Sequence, residues 1–349
     1  MAGDGGTGLG ELLSEAKEEV AAHGLTVLRQ TVFGTPAEHD SAPEILREVF
    51  GDVGWPVTWL AEGDSLGEPL SGTHLDAVSG TEVHRLIHEG EVLGSLFSDG
   101  WADYCHVGGI VGSAPASRRP QQARDVLERI ETAARLAGMD WRHVIRTWFY
   151  NDRILDWYGQ FNQTRTAFFQ ERGVFDGLVP ASTGIGGGNL RGAALVAEGL
   201  GVRPRQTAAN LVHARAVRSP LQCPAMNYRS SFSRAVELGL PDHRRLYVSG
   251  TASIDRHGAT ARRGDVAGQI DLTLDVVEAI LESRQADWAD VTRAIAYVKA
   301  GRDAAVYRRI AGRRGLQALP VIITENDICR RDLLFELEVD AILAATTNR

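Results

Sequence analysis

Apolar residues recur at helical spacing in two separate stretches of the chain. Leu127, Ile130 and Ala134 lie in QQARDVLERIETAARLAGM, and Leu274, Val277 and Leu281 lie 147 positions later in GQIDLTLDVVEAILESRQA. That spacing predicts one amphipathic helix in each stretch, with a single face turned to a core. Each stretch runs into a DWxxVxR string, DWRHVIR at 140–146 and DWADVTR at 287–293. An apolar run follows in both places, RTWFYND in one and RAIAYVK in the other, and reads as a strand. Ahead of each helix stands a strand-like run with glycine, YCHVGGIVGS (104–113) or LYVSGTASI (246–254).

The correspondence continues downstream. YGQFNQTRTAFFQERG and AAVYRRIAGRRG read as second helices. VPASTGIGGGNLRGAALVAEG (179–199) and LPVIITENDICRRDLLFELEV (319–339) close the two copies, here 140 positions apart. A β–β–α–β–α–β–β unit of about 125 residues, present twice, is the expectation. The boundaries expected are 1–75 for an N-terminal segment forming a partial third layer, 76–205 for the first unit and 206–349 for the second. The N-terminal segment has a short helix candidate at Leu9–His23 and Gly/Pro-rich joins, FGTPAEHDSAP and GDVGWP. LVHARAVRSPLQCPAMN (211–227) reads as a connector or an edge strand.

Composition narrows the function classes. Of 349 residues, 44% are hydrophobic and 23% charged, an ordinary globular mixture with enough apolar material for a sizeable core. The formal net charge of -8 argues against a nucleic-acid or anionic-membrane partner, and leaves room for arginines to hold an anionic small molecule in a cleft. Cys105, Cys223 and Cys329 are widely spaced and form no CxxC or Cys/His pattern, which argues against a zinc site and a disulfide framework. The first twenty residues lack a basic region followed by an apolar one, and no run of about 18 apolar residues occurs, so a cytoplasmic protein is expected.

NYRSSFSRAV (227–236), LYVSGTASI, Gln269 opening a helix, DWADVTRAIAYV (287–298) and LLFELEVDAI (333–342) together resemble the Rid/YjgF family. Residues 227–349 carry that pattern almost completely and 100–200 more loosely. The resemblance implies an α+β fold of two tandem Rid/YjgF-like, chorismate-mutase-like units. These would be mixed sheets with helices packed on one face, and a pseudo-trimeric arrangement is open to them. With RTWFYND, YxxFNxxR, SFSRA, SGTAS and CRRDLLFE, the two-unit chain is similar to the chorismatase branch, which acts on chorismate. That branch gives either 3-hydroxybenzoate or a dihydroxycyclohexadiene carboxylate, with pyruvate, and implies no metal or organic cofactor. LPVII (319–323) and VPAST (179–183) lack the arginine of the deaminase-type PARS segment, which counts against imine hydrolysis. A non-catalytic metabolite-binding role is the remaining alternative. Two fused units make a monomer plausible.

A dicarboxylate enol ether needs arginines for its carboxylates and an acid able to protonate a carbon near neutral pH. Strand alternation in LLFELEVDA puts Leu334, Glu336, Glu338 and Asp340 on one face and Phe335, Leu337, Val339 and Ala341 on the other. Glu338 corresponds to Glu198 in the first unit, whereas Glu336 corresponds to Val196. A position that is Val in one copy does not follow a solvated-face rule, so Glu336 is the candidate acid, as the resemblance also implies. Arg146, Tyr150, Arg153 and Arg165 are the candidate carboxylate holders from the first unit. Tyr228, Arg229, Arg234, Ala235 and Cys329 are the candidates from the second. In the resemblance, a cysteine at the Cys329 position goes with 3-hydroxybenzoate formation.

Two further motifs yield no chemistry. GIGGGN (184–189) lacks the P-loop lysine and reads as a surface loop or bulge. His84 and His88 in HRLIH would share a helix face, but Arg85 stands where a zinc protease needs glutamate.

Overall fold

The structure is a computed structural model that describes residues 8–34, 40–61, 63, 72–114 and 116–345. Residues 35–39 of the FGTPAEHDSAP join and the first seven residues lie outside that set.

The first unit runs β4 (Val83–His88), β5 (Glu91–Ser98), β6 (Ala102–Val111), α3 (Arg119–Leu136), β7 (Val144–Asn151), α4 (Tyr158–Glu171), β8 (Ala181–Gly186) and β9 (Leu195–Pro204). Its sheet order is β4-β5-β6-β9-β7-β8. The second unit repeats it with β10 (His213–Val217), β11 (Ala235–Gly239), β12 (His243–Ala252), α5 (Val266–Glu282), β13 (Val291–Val298), α6 (Ala304–Arg313), β14 (Val321–Glu325) and β15 (Phe335–Ala344), in the order β10-β11-β12-β15-β13-β14. Each unit thus has one more leading strand than the β–β–α–β–α–β–β expectation, namely β4 and β10. The 211–227 stretch contains β10, an edge strand. HRLIH lies in β4, not in a helix, because its residues alternate across a sheet edge.

The DW string has a mechanical reason to repeat. Asp140 accepts a hydrogen bond from the Arg142 amide at 2.9 Å, and Asp287 accepts one from the Ala289 amide at 2.7 Å. Each aspartate caps a single 3-10 turn that aims the chain into the strand behind it. In the first unit Trp141 then packs edge-on against Phe168 of α4 at 5.4 Å.

N-terminal to both units come α1 (Leu9–Ala22), β1 (Thr26–Gly34), α2 (Ala42–Phe50), β2 (Val57–Ala61) and β3 (Gly72–Val78). β1 pairs parallel with β2 and antiparallel with β3. β7 does the same with β8 and β9, and β13 with β14 and β15. The N-terminal segment therefore has the topology of the second half of a unit, and its sheet continues to Val78, past the expected join at 75.

The three sheets turn their helix-free faces toward one another. Leu28, Phe33 and Leu60 from the first sheet meet Trp148, Tyr150 and Ile185 from the second, and Val236, Tyr247 and Ile295 from the third, in one central core. The opposite faces pack on their own helices. Phe335, Leu337, Val339 and Ala341 face α5 and α6 as the alternation predicts. GIGGGN is not a surface loop. Gly186 donates to the Asp327 carbonyl at 2.7 Å and Gly188 to the Ala61 carbonyl at 2.9 Å, so the run stitches all three sheets together. A Cβ on Gly186 would stand 2.8 Å from that of Asp327, and the close approach requires glycine there.

Candidate active site

The helix-free face of β15 meets α4 and β8 across the seam between the units. A cavity of about 830 Å³ opens there. Its volume lies in the ordinary range for a small-molecule site. The first unit contributes Tyr158, Asn162 and Arg165 from α4 and Ser182 and Gly184 from β8. The second contributes the 228–234 segment, Gly250 and Ala252 of β12, Cys329, Arg330 and Glu336.

Glu336 stands on the cavity wall with 4% of its surface exposed. Burial, reinforced by the charge of Glu338, pushes its carboxyl up to about 8, while Arg146 and Arg234 pull the other way. The group is therefore a protonated acid at neutral pH. Gly250 makes room for it, because a Cβ at that position would overlap the Glu336 carboxyl. This gives the SGTAS string its physical meaning.

Arg165 is 1% exposed. It donates to Asn162 Oδ1 at 2.7 Å and Ser182 Oγ at 3.3 Å. Its guanidinium lies 5.1 Å from the Phe161 ring centre and 6.0 Å from that of Phe232. Arg234, 4% exposed, donates to the Cys223 carbonyl through Nε at 3.1 Å and Nη2 at 2.9 Å. Among the described residues neither arginine has a carboxylate partner. Two buried cations facing one cavity without counter-ions are arranged to receive anions. The Tyr228 ring lies between the Arg234 and Arg330 guanidinia, 5.4 Å and 5.2 Å away. Burial pushes the Cys329 thiol up to about 12, so it lines the wall as a neutral group and not as a thiolate.

Several expected site residues lie elsewhere. Arg146 is fully buried but not on the cavity wall. Its Nη2 binds Glu338 Oε2 at 2.9 Å and Thr183 Oγ1 at 2.7 Å, which commits its fork to an internal carboxylate. Tyr150 is buried in the central core. Arg153 is 72% exposed and pairs with Asp156 at 2.7 Å on the surface. Ala235 points into the helix side of the second unit's sheet, opposite the face that Arg234 serves. Glu336, Arg165, Tyr228, Arg229, Arg234 and Cys329 do line the cavity, with Arg229 exposed at its mouth. Tyr158 and Arg330 also line it and were not singled out from sequence. Tyr158 had a signal, because positions 158, 162 and 165 share one helix face. His84 and His88 join no metal-holding cluster among the described residues. No helix among the described residues is long and apolar enough to cross a membrane.

Fold and site together define a tandem α+β protein of Rid/YjgF-like fold with an acid-and-arginine cavity at the seam of its two units. Residues 224–342 match the family described as Endoribonuclease L-PSP. The chain is 31% identical over 218 residues to a chorismatase of Streptomyces hygroscopicus, and 32% identical over 214 residues to a chorismatase of Streptomyces rapamycinicus. Each match covers 55% of this chain, and they span 60% and 62% of those relatives. A chorismatase crystal structure superposes with a TM-score of 0.68 at 23% identity, covering 90% of this chain and 93% of that one. The chain is thus related in sequence to the chorismatases and shares their fold.

Proposed function

We propose that the protein is a chorismatase that releases pyruvate from chorismate, with Glu336 as the proton donor. The observation that carries this reading is a buried carboxyl on the wall of one cavity with two buried arginines that have no carboxylate partner among the described residues. Chorismate has two carboxylates and an enolpyruvyl ether, the charge pattern this cavity complements. Arg165 and Arg234 hold the carboxylates, and Tyr228 and Phe232 wall the ring. Glu336 gives its proton to the ether's methylene carbon, which becomes a methyl group and leaves an electron-poor ether carbon. The ring carbon–oxygen bond then breaks and its electron pair completes the pyruvate carbonyl.

The product depends on whether that ring bond is the one that breaks. If the ring hydroxyl displaces the ether oxygen, an epoxide forms across the two ring carbons; its bond to the carbon that first bore the hydroxyl then breaks, and loss of the proton from the other carbon gives 3-hydroxybenzoate with no net water consumed. If water adds instead to the electron-poor ether carbon, the adduct collapses to pyruvate and the ring keeps its oxygen, leaving as the dihydroxycyclohexadiene carboxylate. We assign the 3-hydroxybenzoate route, because Cys329 occupies wall volume beside Glu336 as an uncharged group that holds no water by charge. The purified chain mixed with chorismate is expected to give equimolar pyruvate and 3-hydroxybenzoate. Pyruvate accompanied by the diol would reassign the product, and no pyruvate would sink the reading.

A further inference from the structure

The reading above uses Glu336 and leaves unexplained a second buried carboxylate two residues along the same strand face. Glu338 has no surface exposure. Arg146 from β7 reaches it at 2.9 Å and Arg293 from β13 at 2.7 Å. The Trp148 indole donates to both its oxygens at 3.0 and 3.1 Å. The Thr183 hydroxyl, from β8, also donates to it. Thr183 Oγ1 in turn accepts from the Gly250 amide at 3.0 Å, and Gly250 is the residue on which the Glu336 carboxyl rests. Donors from three strands of the first and second units therefore fix one carboxylate next to the acid. One hydroxyl joins that carboxylate to the backbone behind the acid. A purely structural ion pair does not require this link. The counterpart Glu198 is held by Thr31 Oγ1 at 2.5 Å and Arg29 at 3.5 Å, and it has no acid beside it because Val196 occupies the position of Glu336.

We propose that Glu338 is a positioning residue for Glu336, a fixed negative charge that keeps the neighbouring carboxyl in its proton-donating form and, through Thr183, braces the wall behind it. The inference rests on the assignment of Glu336 as the acid. The other groups facing Glu336 are Arg146 from β7, Arg234 ahead of β11, Tyr158 and Arg165 from α4, Cys329 ahead of β15, and Tyr297, opposite it on β13. Arg146 and Arg234 oppose the effect of Glu338, and Tyr158 and Cys329 remain neutral because burial holds their protons. Glu338 itself stays ionised. Burial works against its charge, and Arg293 and Arg146 outweigh it.

The test is an infrared titration of the Glu336 carboxyl in the full chain, isolated as the difference from Glu336→Gln and requiring no substrate. In Glu338→Gln the protonated band is expected to vanish at a pH about one unit lower than in the unsubstituted chain. In Arg146→Gln, which removes an opposing cation, it is expected to vanish at higher pH. Glu338→Asp, which keeps the charge, restores the original midpoint. An unmoved midpoint in Glu338→Gln would overturn the proposal and leave Glu338 a structural ion-pair member, whatever Arg146→Gln shows. If Glu338→Gln does not fold, Glu338→Met, close in volume and uncharged, is titrated in its place and decides by the same criterion. A normal midpoint shift in a protein that does not act on chorismate would remove the functional reading and keep the electrostatic one.

Discussion

Glu336 and Glu338 are two positions apart on one strand face, yet their environments drive them to opposite protonation states. Glu338 is surrounded by cations and an indole donor, whereas the Glu336 carboxyl receives no hydrogen bond or ion pair from the described residues. An acid whose folded pKa is raised favours folding while protonated, and that contribution is lost as pH rises from its unfolded value through the folded one, here from 4.5 to about 8. Glu336→Gln is therefore expected to gain stability relative to the unsubstituted chain above pH 8, on the order of 2–4 kcal/mol. Below pH 5 the difference should fade. Thermal melts at several pH values measure it, and a difference that does not vary with pH would contradict the assigned burial. Cys329 is tested at the same scale. Cys329→Ala frees volume beside the acid, so a share of diol product is expected by chromatography, with pyruvate release within about threefold of the unsubstituted rate.

At the scale of elements, α4 and β15 were the legible parts of the site. The alternation in LLFELEVDA placed Glu336 on the helix-free face, and the Val196 counterpart separated it from Glu338. FNQTR put Arg165 on a helix face that meets the seam. Arg146 misled for a physical reason. Strand periodicity tells which face a residue occupies, but the helix-free face of β7 looks into the centre of three sheets and not into the cavity. Tyr150, on the same strand face, is buried in that centre too. Arg153 lies just past the strand, where Asp156 holds it at the surface. Sequence spacing does not show which neighbouring sheet a strand face meets.

The N-terminal elements bring their own buried charges to that centre. His74 on β3 accepts from Arg293 Nε at 3.2 Å, and burial, with the Arg293 charge, pushes it down to about 3. His106 is lowered too, chiefly by burial, although Asp76 opposes the shift. A histidine kept neutral in the fold costs stability as pH drops below its unfolded value of 6.5, where the unfolded chain takes up the proton. His74→Asn keeps an acceptor for Arg293 and removes the titrating group. Its unfolding midpoint in urea is expected to fall less steeply than that of the unsubstituted chain between pH 6.5 and 4.5. Equal slopes would show that His74 is not held neutral.

Across the whole molecule, three β–α–β–β halves surround one core, and Arg29, Arg146 and Arg293 take matching places on β1, β7 and β13. Each of the three has its guanidinium within 4.3 to 5.5 Å of the Trp148 ring centre. The duplication was legible in the DW strings and the 147-residue offset. The N-terminal segment was expected as a partial third layer, but its likeness to half a unit was not legible, because it carries no DW string and its matching arginine, Arg29, has no surrounding sequence pattern to mark it. The seams are unequal. At the seam between the N-terminal sheet and the first unit, Val196 stands where Glu336 stands at the other seam and packs with Leu60 in the apolar core, so among the described residues that position offers no acid. One substrate analogue per chain is the expected stoichiometry by calorimetry. Two or more equivalent sites would contradict this reading of the seams.

The most direct measurement is pyruvate release from chorismate by the unsubstituted chain and by Glu336→Gln, followed from pH 6 to 9. The unsubstituted chain is expected to turn over and to lose activity as pH rises through about 8, while Glu336→Gln loses at least about a hundredfold in kcat at every pH with its fold intact. Full turnover by Glu336→Gln would contradict the account.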